Sequence, residues 1–130
     1  MSHVATHKTS IVGTNRSFLE QAAKFAAEDK HGTLCTENAV VHDYRMGTPT
    51  PCEMAIQSNT FKPGVGMNIR DGALEFVGDS WVHGFNDIQT LVLQHYGVLG
   101  LRATASQEGY KLGQQSVVNN GDVLLEFEVE

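Results

Sequence analysis

The sequence contains only nine lysines and arginines in 130 residues, and they are scattered singly along the chain. Proteins that bind DNA or RNA rely on grouped cations that contact many phosphates. Fifteen acidic residues bring the formal net charge to −6, so an extended basic surface is not expected. This composition argues against nucleic acid as the main partner.

The chain also lacks an apolar run close to the roughly 20 residues that a membrane-spanning helix needs. Its first residues, MSHVATHKTSIVG, lack the basic region and apolar core of a signal peptide. Only two cysteines occur, Cys35 and Cys52, whereas a small secreted domain usually carries more. We therefore expect one soluble domain over residues 1–130, with reduced thiols and no membrane partner. The expected location is the cytoplasm.

The first third of the chain predicts a strand followed by a helix. Residues 3–12 are rich in Thr, Val and Ile, which is typical of a strand. Asn15 or Ser17 can cap the following segment, SFLEQAAKFAAEDK, which consists largely of good helix formers. The predicted buried stripe of this helix is Phe18, Ala22, Phe25 and Ala26, with Leu19 at its flank.

The middle of the chain predicts strands separated by turns. Residues 33–44 and 54–61 are strand candidates. The segment RMGTPTPCE between them reads as a loop or an irregular edge, because proline lacks the donor that a sheet needs. Lys62-Pro63-Gly64 is predicted to turn the chain. Asp71-Gly72 then predicts a tight hairpin, since these residue types tolerate the positive φ angles of its turn.

A second helix and a second hairpin are predicted after residue 85. Asn86 is the expected cap of the helix, and Gly97 and Gly100 each weaken it by up to about 1 kcal/mol relative to alanine. Its apolar stripe is Ile88, Leu91, Val92, His95, Leu99 and Ala103. In the terminal hairpin, residues 119–122 form the turn and Val123, Leu125, Phe127 and Val129 point to the core. Glu126 and Glu128 point away, either as a solvated face or as a surface matched to a basic partner.

Together these elements predict an α+β fold with the order β-α-β-β-β-β-α-β-β. The expected architecture is an antiparallel sheet of about five to seven strands with two helices packed on one face.

Several short motifs resemble a conserved family of unknown function from cyanobacteria and algal chloroplasts, called hypothetical chloroplast reading frame thirty-five. The residues that carry the resemblance are Met1, Ser2, His3, Val4, Lys8, Thr9, Ile11, Asp71-Gly72, Asp79, Trp81, Gln94, Tyr96, Gly109-Tyr110 and the Asn-Gly-Asp turn at 120–122. His7 and the RMGTPTPCE loop depart from the family, which suits a distant member carried by a virus or a mobile element. The resemblance implies a fold and no activity, and it adds the plastid stroma and an infected host's cytoplasm as alternative locations.

Catalytic and metal-binding signatures are missing from the sequence. His3 and His7 lie on one strand face but about 13 Å apart along an ideal strand, too far to share a metal. Cys35, His42 and Cys52 have none of the spacings of zinc ligands. We therefore assign no catalytic residue, no metal ligand and no cofactor.

Binding residues are expected around the loop that follows Tyr44. Tyr44 and Arg45 precede an irregular segment, and loops on a rigid sheet commonly carry binding residues. Trp81 and His83 come just before the second helix, whose N-terminus attracts anions. With Lys62 they form the predicted ligand site. Trp81 can alternatively be a core residue, because large aromatic side chains dominate cores.

The favoured hypothesis from the sequence is a non-catalytic binding or regulatory protein that acts through a protein partner or by self-association. One alternative is a protein that binds or sequesters a small anionic metabolite or nucleotide. The second alternative is a metal-dependent or thiol hydrolase.

Overall fold

The computed structural model describes residues 4–82, 84–107, 110–117 and 123–129, with side chains up to residue 104. Six strands separate the two helices where the sequence predicted four. The elements are β1 (Ala5–Lys8), α1 (Arg16–Asp29), β2 (Thr33–Cys35), β3 (Val40–Val41), β4 (Thr50–Pro51), β5 (Met54–Ser58), β6 (Phe61–Arg70), β7 (Ala73–Gly78), α2 (Phe85–Gln107), β8 (Tyr110–Val117) and β9 (Val123–Val129).

The predicted α+β class is confirmed. Five strands form one sheet in the order β1-β7-β6-β5-β2, and every neighbouring pair in it is antiparallel. Both helices pack on this sheet. The main core lies between the helices and the sheet. It consists of Leu19, Ala22, Ala23, Ala26, Ala27, Met54, Ile56, Phe61, Val65, Met67, Leu74, Phe76, Val82, Phe85, Ile88 and Val92.

Helix α1 begins as predicted, with Asn15 as its cap. The Asn15 backbone is extended, and its side-chain oxygen accepts from the Phe18 N–H at 3.1 Å. The buried face is made mostly of alanine, which lets the helix lie close to the sheet. Phe25 was predicted to be buried, and this is wrong, because 52% of it is exposed and its ring stacks on His95 of α2 at 5.3 Å.

Strand β1 is shorter than the predicted segment 3–12, but the chain beyond it still follows β7. The Thr9 N–H donates to the Leu74 carbonyl at 3.2 Å, and the Leu74 N–H donates to the Ile11 carbonyl at 3.1 Å. The predicted strand 33–44 is also interrupted. It divides into β2, which joins the main sheet, and β3, which pairs with β4 as a separate ribbon.

The β6–β7 hairpin is confirmed, with φ of 53° at Asp71 and 81° at Gly72. The turn predicted at Lys62-Pro63-Gly64 is wrong, because these residues lie within β6. The chain turns earlier, where Ser58 pairs with Phe61 across a register shift. Pro63 is tolerated within β6 because it uses only its carbonyl, which accepts from the His42 N–H at 2.8 Å.

The β3–β4 ribbon covers the sheet face opposite the helices. Ala39, Val41, Ala55 and Val77 form a second buried cluster there, and Cys35 and Cys52 pack against it. Gly66 permits this close approach, since a Cβ at that position would lie 2.7 Å from the Cys52 Sγ. Both faces of the central strands are therefore covered in this region.

Helix α2 begins one residue before Asn86, so the predicted cap is wrong. The Gly84 carbonyl accepts the first helical N–H, from Ile88, at 3.0 Å. Ile88 and Val92 of the predicted stripe are fully buried, and Leu91 and Leu99 pack against the core. The Tyr96 hydroxyl accepts from the Asn15 N–H at 3.0 Å and so ties α2 to the start of α1.

Strands β8 and β9 pair antiparallel as a two-stranded sheet, from Tyr110 opposite Val129 to Val117 opposite Val123. The predicted turn at 119–122 lies outside the described residues. So do the side chains of the terminal hairpin, including Glu126 and Glu128.

Candidate functional site

The loop between β3 and β4 is held in one conformation by its own polar groups. The Asp43 Oδ1 accepts from the N–H groups of Arg45 and Gly47, both at 3.0 Å. The His42 Nδ1 lies 2.9 Å from the Gly47 carbonyl, which only accepts, so this nitrogen carries the proton. Met46 has φ of 57° within this tight turn.

Asp79, at the end of β7, fixes the position of the same loop from the sheet. Its side chain is fully buried. Oδ2 accepts from the Tyr44 N–H at 2.7 Å, and Oδ1 accepts from the Trp81 N–H at 2.9 Å. A carboxylate is a strong acceptor in such a setting. It therefore positions two backbone segments whose side chains are exposed, 66% for Tyr44 and 67% for Trp81.

Two adjoining clefts open beside this loop. We call the first, of about 470 Å³, the polar cleft; it is lined by His31, Gly32, Thr33, His42, Met46, Gln57, Ser58, Asn59 and Lys62. We call the second, of about 420 Å³, the apolar cleft; it is lined by Tyr44, Met46, Asn59, Thr60, Phe61, Lys62, Pro63 and Val82. Met46, Asn59 and Lys62 belong to both linings, so the two clefts adjoin at these residues.

The walls of the clefts come from separate parts of the chain. His31 has φ of 55° immediately after α1, where the Gly32 N–H closes the helix on the Ala27 carbonyl at 2.7 Å. The Ser58 Oγ accepts from the Thr60 and Phe61 N–H groups at 3.2 and 3.3 Å and so shapes the turn that carries Asn59. Backbone hydrogen bonds thus hold both walls of the polar cleft.

The electrostatic character of the clefts differs from that of the whole chain. His31, His42 and Lys62 line the polar cleft, and no acidic residue among those described lines either cleft. The chain as a whole carries a formal charge of −6. Of the neighbouring acids, Asp43 and Asp79 accept the backbone N–H groups described above.

The structure brings together part of the predicted ligand site. Tyr44 and Lys62 both line the apolar cleft, so one ligand there can contact both of these predicted residues. Arg45 and Trp81 line neither cleft, and His83 lies outside the described residues. The alternative of Trp81 as a core residue is wrong, because its indole is exposed while only its backbone is anchored, by Asp79.

His31 and His42 were not predicted as ligand contacts. His31 follows a helix and His42 follows a short strand, and neither position indicates in the sequence that the two side chains line one cleft. They meet because β2 pairs with β5 at the sheet edge while the His42 N–H donates to Pro63 of β6. Only the strand pairing, which is not local in sequence, reveals this.

The cysteines belong to no candidate metal centre in the described part of the chain. No group of three or more His, Cys, Asp or Glu residues that could hold a metal occurs among those residues. Burial raises the pKa of the Cys52 thiol from 9.0 to about 11. A nucleophilic cysteine needs a lowered pKa, so Cys52 does not support a thiol hydrolase.

No family model, curated protein or solved structure matches this chain. The resemblance to the chloroplast reading-frame family therefore stays a prediction. Neither of the two described helices is long and apolar enough to cross a membrane.

Proposed function

We propose that this chain is a non-catalytic binding protein whose ligand is a small anionic molecule held in the two joined clefts. The observation that carries the proposal is the basic and acid-free lining of the polar cleft on an otherwise acidic chain. Anions are repelled by the acidic surface at large, so a lysine flanked by two histidines and by no carboxylate in the lining marks where an anion can bind.

The volume of the clefts and their anchored walls also suit a ligand site, and both clefts are largely open to solvent. Small-molecule sites are concave and commonly measure about 300–1,000 Å³. Each cleft falls within this range, at about 470 and 420 Å³. Their walls are held by Asp79, by the Asp43 turn and by the Ser58 turn, so little ordering is needed when a ligand binds.

Thermal-shift measurements test the proposal with a panel of inorganic phosphate, small carboxylates and nucleotides. A ligand at 100 times its dissociation constant stabilises the folded state by about 2.7 kcal/mol, which raises the melting temperature by several degrees. Lys62→Ala is expected to abolish the shift. Lys24→Ala, on an exposed position of α1, is the matched control and is expected to keep it. A flat response across the panel contradicts the proposal.

The exposed aromatic residues favour a second candidate, a protein partner or self-association. Tyr44, Met46 and Trp81 are 66%, 47% and 67% exposed on neighbouring, anchored segments. Trp and Tyr are over-represented among the residues that dominate binding energy at protein interfaces. This surface matches the hypothesis favoured by the sequence.

Sedimentation velocity over a wide concentration range tests the self-association form of this candidate. A weight-average mass that rises with concentration, and no longer rises in Trp81→Ala, supports it. Leu101→Ala removes an exposed apolar side chain from α2, 44% exposed, and serves as the control. A monomer at every concentration removes self-association.

A further inference from the structure

We infer that the joined clefts bind a mononucleotide, with its phosphate in the polar cleft and its base in the apolar cleft. This inference rests on the proposed function and names its ligand class. It follows from the different chemistry of the two linings and from the residues at their junction.

The polar cleft offers what a phosphate group needs. His31, His42 and Lys62 supply the cationic or N–H donor groups, and Thr33 adds a hydroxyl. The His42 Nδ1 donates to the Gly47 carbonyl at 2.9 Å, so its Nε2 donates to a phosphate oxygen only when the ring is doubly protonated, and the Lys62 ammonium is the donor that needs no such change. Phosphate oxygens accept several hydrogen bonds at once, and charge-assisted bonds of this kind are the strong ones.

The apolar cleft offers what a planar base needs. Tyr44, Phe61, Pro63 and Val82 give it an aromatic and aliphatic lining. Tyr44 is 66% exposed, but its backbone is fixed to the buried Asp79 by a 2.7 Å hydrogen bond. An exposed aromatic ring on an anchored backbone is a stacking surface that loses little freedom when a base binds.

The two clefts adjoin at residues that belong to both linings. Met46, Asn59 and Lys62 line both clefts, so a single ligand that spans the junction contacts both. The exposed Asn59 amide lies there with both a donor and an acceptor for sugar hydroxyls. A single lysine at the site and a net charge of −6 favour a free mononucleotide over a nucleic-acid strand, which needs many cations.

Isothermal titration calorimetry of the full chain separates the contributions of the base, the sugar and the phosphate to binding. The four ligands are adenosine monophosphate, ribose 5-phosphate, adenosine and inorganic phosphate. Adenosine monophosphate is expected to bind at least about tenfold more tightly than ribose 5-phosphate, because only it stacks a base. Tyr44→Ala is expected to remove that difference, and Tyr44→Phe, which keeps the ring, to restore it. Phe25→Ala, an exposed aromatic on α1, is the control and is expected to keep the difference.

The phosphate contact is tested by Lys62→Ala in the same titrations. We expect about tenfold weaker binding of adenosine monophosphate and little change for adenosine, with Lys24→Ala resembling the wild type. If ribose 5-phosphate and adenosine monophosphate bind equally and both depend on Lys62, the mononucleotide inference fails while the anion-binding proposal stands. If none of the anions binds, both fail. A trinucleotide that binds more tightly than the mononucleotide also overturns the inference.

Discussion

Replacing Asp79 by alanine is expected to lower the free energy of unfolding by about 2–4 kcal/mol. The fully buried carboxylate accepts the Tyr44 N–H at 2.7 Å and the Trp81 N–H at 2.9 Å. Hydrogen bonds to a charged group contribute about 1.5–3 kcal/mol each. These two bonds together contribute about 3–6 kcal/mol, and the two released N–H groups recover part of it by bonding to water.

Urea denaturation followed by fluorescence and circular dichroism measures this change. Asp79→Asn keeps one acceptor oxygen, so we expect a loss of about half that of alanine. Asp29→Asn, at an exposed position of α1, is the control and is expected to change stability by less than about 0.5 kcal/mol. If both Asp79 variants also stay within about 0.5 kcal/mol of the wild type, the reasoning is refuted, because the carboxylate then does not anchor the loop.

Three further predictions concern the Gly78 contact with Phe85, the helix residue Gly97 and the half-buried Cys52 thiol. Gly78→Ala is expected to destabilise the fold by about 1–3 kcal/mol, measured by urea denaturation, because the new Cβ would lie 2.5 Å from the Phe85 ring; unchanged stability would contradict this. Gly97→Ala is expected to stabilise α2 by up to about 1 kcal/mol in thermal unfolding, since no described atom outside the neighbouring residues and the backbone of α2 itself lies within 4 Å of the added Cβ. A lower melting temperature would count against it. Cys52, whose pKa is raised to about 11, is expected to react with iodoacetamide at pH 8 much more slowly in the folded than in the unfolded protein, as read by mass spectrometry. The stability that comes from keeping this thiol protonated is present below pH 9 and is lost as the pH rises toward 11. Equal labelling rates in the folded and the unfolded protein would contradict the raised pKa.

Features with a local cause could be predicted from the sequence. Asn15 caps α1 because a short polar side chain reaches the next N–H groups, and Asp71-Gly72 turns the hairpin because both residues accept positive φ. The fold class follows from the sequence of such elements. The failures concern long-range packing: Phe25 has the spacing of a buried residue, but its ring stacks on His95 of α2 and stays 52% exposed.

The candidate site could be predicted only in part for the same reason. The loop after Tyr44 was recognisable from its irregular composition, and Lys62 from its charge. The role of Asp79 depends on a contact across 35 residues of chain. The contribution of His31 depends on the pairing of β2 with β5. Neither of these long-range contacts leaves a periodic or local pattern in the sequence.

The central claim, that the joined clefts bind a small anion, is tested most directly by two-dimensional amide NMR during a titration with inorganic phosphate. We expect saturable shift changes for residues 31–33, 42–47 and 57–63, which carry most of the cleft lining, and their loss in Lys62→Ala. Changes that do not saturate, or that fall instead on the exposed face of α1, would contradict the claim.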